Sequence, residues 1–274
     1  MRRRAFLALV GTTALAGCSD NGGGTQTGTE TGASNFELVS IDSPDSTMLN
    51  VPQTFTIRIR NLGSSNRTFE SAVSMRTNDG PWKERGTLQL SIPAGETKAW
   101  TSPEFSPRYL GNVQFRLAAF SSQWTIEVRP KRLTFGNFYA TPTGFYLNVL
   151  GGSFQSEYPS SSNSAATDQT ATPTPMTPSD GDRWVVMRVE VRNRLENPQA
   201  APPASDFVLK LDGERRPQHQ EISTDPYEGA ELAGRTVRRG DLVYSVPAET
   251  EAADLTVEWQ QSLPEGDVKA IWTT

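Results

Sequence analysis

The chain holds one histidine, His219, and one cysteine, Cys18, which closes off any chemistry needing several imidazole or thiolate groups. A Ser-His-Asp hydrolase requires its histidine to sit between a buried carboxylate and an activated serine. His219 instead lies in the polar run Arg215-Arg216-Pro217-Gln218-His219-Gln220, and no G-x-S-x-G occurs, so the reading is a solvated surface histidine. A zinc site takes four nitrogen, sulfur or carboxylate ligands, more than one histidine and one cysteine supply. Calcium could draw on Asp79 or on Asp180-Gly181-Asp182, but the D-x-D-x-D-G loop is absent, which leaves solvated turn carboxylates. Glycoside hydrolysis needs two carboxylates facing one cleft; Glu221, Asp225, Glu228 and Glu231 all fall in one polar stretch, 221–234, expected to be a loop. No catalytic residue, metal site or cofactor is therefore expected.

What remains is contact chemistry. Trp100, Trp124, Trp184 and Trp259 are in phase with apolar neighbours and are expected in the core. Trp82 follows the turn Asn78-Asp79-Gly80-Pro81, and Trp272 stands two residues from the end of the sequence. An exposed tryptophan can stack on a sugar or anchor a protein partner. Trp82 is thus the candidate contact residue, the other reading being a lid over the end of the fold. Asn66-Arg67-Thr68 is a glycosylation sequon in a turn, which makes Asn66 a candidate modification site.

The start of the chain is the most specific part of it. Arg3 and Arg4 precede the apolar run Ala5-Phe6-Leu7-Ala8-Leu9-Val10, and Leu15-Ala16-Gly17-Cys18 follows. A basic start, a short apolar stretch and small residues before a cleavage point describe an export signal, over residues 1–17. The apolar stretch falls short of the roughly 20 residues that cross a bilayer. The paired arginines resemble the twin-arginine export signal, and Leu-Ala-Gly-Cys resembles the lipobox of prokaryotic lipoproteins. The resemblance implies that Cys18 becomes the lipidated first residue of the mature chain, on the extracytoplasmic face of the membrane. That also gives a lone cysteine in an exported chain its use. Because one acyl chain binds membranes only marginally, a diacylglyceryl-type anchor is implied.

The formal charge of −5 moves to −8 once Arg2, Arg3 and Arg4 leave with the signal, since no acid leaves with them. Nucleic acid, which needs clustered positive charge, is excluded as a partner. Lysine supplies only five of the 26 basic residues. Low lysine, acidity and the twin-arginine leader together resemble proteins of salt-loving archaea.

Residues 18–35 are the lipidated cysteine and a Gly/Thr-rich tether, which as a flexible chain would reach roughly 22 Å. From Phe36 onward, short alternating runs are broken by turn residues, which predicts an all-β protein of two antiparallel immunoglobulin-like sandwiches. The first spans 36–129 with seven strands. The order Asn61-Leu62-Gly63, Ile92-Pro93-Ala94-Gly95-Glu96-Thr97, Trp100 resembles the cell-adhesion-related sandwich of microbial surface proteins. The second spans 130–274: strands over 132–139 and 145–150, a disordered Ser/Thr/Pro insert at about 155–180, then strands at 184–193, 206–213, 240–247 and 255–259. An apolar strand ending in Asn193, the hairpin Phe207 to Gly213 and Gly240 to Pro247 resemble the telokin-like immunoglobulin-like domain of secreted lipoproteins. Together these features predict a membrane-anchored extracellular binding or adhesion module for a surface protein or glycan, without enzymatic activity. The alternative is an accessory solute-binding lipoprotein serving a transporter or sensor, with its cleft between the sandwiches.

Overall fold

A computed structural model describes residues 32–159 and 175–274. Cys18, Arg3 and Arg4 lie outside the described residues.

The first sandwich contains eight strands: β1 (Phe36–Asp42), β2 (Ser46–Met48), β3 (Thr56–Asn61), β4 (Arg67–Thr77), β5 (Lys83–Ile92), β6 (Thr97–Thr101), β7 (Gly111–Leu117) and β8 (Ser122–Arg129). They form a three-stranded sheet, β1-β3-β6, facing a five-stranded one, β2-β8-β7-β4-β5. Period-two alternation decides which side chains go inward. In β3, Ile57 and Ile59 are fully buried while Arg58 and Arg60 face out. Phe55 joins rings with Trp100, Phe105, Phe115 and Trp124 between the sheets.

The second sandwich begins one residue later. Its strands are β9 (Lys131–Thr134), β10 (Phe138–Ala140), β11 (Phe145–Gln155), β12 (Tyr158–Pro159), β13 (Pro175–Met176), β14 (Asp182–Asn193) and β15 (Gln199–Ala200). There follow β16 (Phe207–Leu211), β17 (Glu214–Arg215), β18 (Glu231–Leu232), β19 (Val237–Pro247), β20 (Leu255–Leu263) and β21 (Gly266–Thr273). The sheets are β10-β11-β14-β19 and β17-β16-β20-β21-β9. Between the named strands pairing is antiparallel except where a short strand pairs parallel to the last of its sandwich, β2 with β8 and β9 with β21; a single parallel bridge also joins Pro226 to Asp241. One continuous buried cluster runs through both, from Phe36 to Trp272.

Several expectations need correcting. The strand expected over 132–139 is two strands in different sheets, because Gly136 turns the chain at φ +86°. Trp272 is fully buried in β21, a strand missing from the sequence reading, and its indole donates to the Asn137 carbonyl (2.7 Å). The final residues of the tether, Gly32–Asn35, form a 3-10 turn. The insert at 155–180 is paired at its ends: β11 continues to Gln155, and Tyr158–Pro159 pairs with Pro175–Met176. It connects β11 to β14, neighbours in one sheet. The stretch 221–234 is no free loop, since it buries Ile222, Ser223, Tyr227 and Leu232.

Candidate functional site

The two sandwiches carry the same device at one corner. Asn61, at the end of β3, is fully buried and donates from Nδ2 to the carbonyls of Ser65 (2.8 Å) and Ile92 (2.9 Å), while its Oδ1 accepts from the Gly63 amide (2.9 Å). Asn193, at the end of β14, is equally buried and donates to Asn197 (2.8 Å) and Leu232 (3.1 Å), and accepts from the Leu195 amide (2.9 Å). The turns they clamp match residue by residue: Gly95 at φ +70° corresponds to Arg235 at φ +59°. In each, the asparagine amide reaches across the turn, to Glu96 in one case and to Thr236 in the other. Phe36 pairs with Asn61 as Phe145 pairs with Asn193. The sequence reading used both asparagines but did not connect them. These clamps fix the turns that close β3 and β14.

Trp82 sits just before β5, at the end of a turn fixed by Asn78. The Asn78 Oδ1 accepts from the Asn112 amide (2.8 Å) and its Nδ2 donates to the Leu110 carbonyl (3.1 Å). Since Met75 pairs with Phe115, and Phe115 points inward, the flanking Arg76, Gln114 and Arg116 all project from the outer face. The Arg76 and Arg116 guanidinium groups lie 4.7 Å and 4.9 Å from the Trp82 ring centre, and Arg76 donates to Gln114 (2.9 Å). Neither arginine forms a salt bridge among the described residues. Trp82 is half-buried, on the outer face of the five-stranded sheet rather than inserted between the two sheets. Cation–π attraction holds the ring against that face without hiding it.

His219 departs from the solvated surface position expected of it. Its ring stands edge-on to Trp184, 5.1 Å between centres, over a small apolar cluster of Tyr158, Trp184, Val186, Ile222 and Val243. Nε2 lies 3.5 Å from Ser245 Oγ and Nδ1 lies 3.4 Å from Glu221 Oε1. The order hydroxyl, imidazole, carboxylate matches an acyl-transfer triad, but the geometry does not. Both distances exceed the 2.6–3.2 Å of a proton relay, Ser245 is buried within a strand, and the Glu221 carboxylate is 70% exposed. No local sequence pattern joins Ser245 to His219; the fold brings them together. Asp225 binds Arg188 (2.5 Å), while Glu228 and Glu231 take part through their carbonyls, which accept from Arg238. No three His, Cys, Asp or Glu side chains converge among the described residues to hold a metal.

Asn66 is exposed, and its Oδ1 accepts from the Ala94 amide (3.3 Å). A groove of about 470 Å³ at the junction is lined by Ser46, Thr47, Gln53, Arg129 and Arg132 among others. No helix among the described residues is long and apolar enough to cross a membrane.

The structure therefore defines an all-β protein of two immunoglobulin-like sandwiches with an aromatic and cationic outer face. No family model matches the chain, so neither sandwich resemblance gains a family match, and no curated protein matches it either. Among solved structures, it is similar to an uncharacterized β-sandwich protein of Clostridium difficile 630 (11% identity, 53% of this chain and 95% of that one, TM-score 0.35). It is also similar to the yjhA protein of Bacillus subtilis (12% identity, 51% and 97%, TM-score 0.37). A third likeness is to MPT63, a secreted protein of Mycobacterium tuberculosis (16% identity, 53% and 98%, TM-score 0.33). None is similar enough to lend this chain a function.

Proposed function

We propose that this chain is an archaeal lipoprotein exported by the twin-arginine route and anchored through Cys18 on the outer face of the membrane. There it acts as a non-enzymatic module that binds a surface protein or glycan through the Trp82 face. The observation carrying this reading is a partly exposed tryptophan flanked by two arginines without carboxylate partners among the described residues. Tryptophan and arginine are the residue types most often found at the energetic centre of contacts. The basic start and the Leu15-Ala16-Gly17-Cys18 stretch support the location. The groove at the junction favours the solute-binding alternative, but its Arg129 is already bound by Glu127 (2.8 Å).

Two measurements test the proposal. Intact mass and membrane fractionation of the native chain beside Cys18→Ser should show lipid mass and membrane retention in the first only; release of both refutes the anchor. Retention on isolated cell envelopes should fall five- to thirty-fold with Trp82→Ala, the effect of losing about 1–2 kcal/mol, with an unchanged melting temperature. Retention that survives protease treatment of the envelopes assigns a glycan, and retention lost by it assigns a protein. Unchanged binding by Trp82→Ala removes this face from the proposal.

A further inference from the structure

The outer face of the five-stranded sheet carries one aromatic ring among polar side chains, and that chemistry narrows what it can hold. Register places the residues. Ser74 on β4 stands between Glu84 on β5 and Arg116 on β7, and Gln123 on β8 follows Arg116 in the same row. In the next row Arg76 stands beside Gln114, and Gln114 beside Thr125. Trp82 lies one residue before the Lys83–Met75 pair, which sets it beside Arg76. The face thus offers a flat indole, two guanidinium groups, carboxamides and hydroxyls.

None of the seven large apolar side chains exposed among the described residues stands on β4, β5, β7 or β8. A protein contact has an apolar core, and its anchor residues are ringed by contacts that exclude water. Trp82 has no such surround. A sugar asks for less: its C–H face covers one aromatic ring, and its hydroxyls bond to the polar side chains alongside. Gln123 and Thr125 are exposed and stand ready for that.

The arginines decide the charge of such a sugar. A guanidinium has five N–H donors. Arg76 spends its Nε on Gln114 (2.9 Å), and Arg116 has no hydrogen-bond partner among the described residues. The two cations lie 4.7 Å and 4.9 Å from the same ring centre, so like charges are held close together. Glu84, the acid in the row of Arg116, forms no ion pair with either arginine. Glu127, further along β8, is taken by Arg129 (2.8 Å). An incoming anion would accept charge-assisted, bidentate hydrogen bonds from the open N–H groups. The chain as a whole is acidic, with a formal charge of −5, so any attraction for an anion is local to this face.

Resting on the reading of this face as the contact surface, we propose that it binds an acidic glycan. Trp82 stacks on a sugar whose carboxylate or sulfate is gripped by Arg76 and Arg116. The test measures the full chain, in detergent where it is lipidated, on immobilised polygalacturonate and its carboxyl-reduced neutral form, and on sulfated dextran beside dextran. At least one acidic polymer should bind about tenfold or more tightly than its neutral counterpart, and the pair that differs tells carboxylate from sulfate. Arg76→Gln with Arg116→Gln should abolish that preference, whereas Arg76→Lys with Arg116→Lys should keep most of it. Trp82→Ala should weaken binding to the acidic polymer about fivefold or more, each variant melting as the native chain does. Binding, or its absence, that is the same for each acidic polymer and its neutral form overturns the acidic glycan; the contact face survives that result if Trp82→Ala still lowers envelope retention. An acidic preference indifferent to the glutamine and alanine changes overturns it too, as does envelope retention lost to protease. Envelope retention unchanged by Trp82→Ala removes the face itself, and the acidic glycan with it.

Discussion

Replacing Asn193 by alanine removes three hydrogen bonds of 3.1 Å or shorter and a longer one to the Ala233 carbonyl (3.4 Å), and its cost can be worked from the three short ones. The side chain is fully buried; without it the Leu195 amide and the carbonyls of Asn197 and Leu232 lose their partner. At about 1 kcal/mol net for each bond, Asn193→Ala should cost about 3 kcal/mol. With one buried cluster running through both sandwiches, a single melting transition is expected, and for a unit of this size 1 kcal/mol moves the midpoint by about 2–4 °C. The variant should therefore melt about 6–12 °C lower, by circular dichroism or calorimetry. Asn193→Asp is the sharper probe. It keeps the acceptor facing the Leu195 amide but turns a carboxylate oxygen toward the carbonyls of Asn197, Leu232 and Ala233, so it should be at least as damaging near neutral pH. Asn61→Ala should cost about the same as Asn193→Ala, since its three bonds match the three short ones of Asn193. A loss below about 1 kcal/mol for Asn193→Ala, or an aspartate as stable as the native residue, refutes the clamp.

Two further outcomes can be checked on the same material. The Tyr139 hydroxyl is buried without a partner among the described residues, and burial pushes its pKa well up. Tyr139→Phe removes that unmet group and should raise stability by about 1 kcal/mol, measured by denaturant midpoint; a loss would show a partner for the hydroxyl. Burial alone would raise the Glu258 pKa, but hydrogen bonds from Lys269 (2.8 Å) and Lys210 (2.9 Å) outweigh it and hold the carboxyl below its ordinary 4.5. A depressed folded pKa means this stability is present above pH 4.5 and is lost as the pH falls through the folded value. Glu258→Gln should flatten that acid limb of the stability profile, and an unchanged limb would assign it elsewhere.

Alternation carried most of the fold into the sequence. Ile57 and Ile59, or Val189 and Val191, announce an inner face because every second residue is apolar. Trp272 was obscured by its nearness to the end of the sequence, and β21 reads less clearly because Ala270, Ile271 and Trp272 are consecutive and all buried. The split at Gly136 was hidden by apolar residues on both sides of a turn that only backbone conformation reveals. Trp82 could be singled out from its turn, but its arginine neighbours come from β4 and β7 by register, which no spacing in the sequence encodes. His219 and Ser245 were invisible as a pair for the same reason.

Between β8 and β9 stands a single residue, Pro130. Across the same junction Asn50 donates to the Ala140 carbonyl (2.7 Å) and the Leu110 amide donates to Asp267 (2.8 Å). A linker without slack, crossed by bonds on either side, leaves no hinge. A pull on the first sandwich is then borne directly by the second as shear across these bonds. The pair responds to load as one elastic body rather than as two beads on a string.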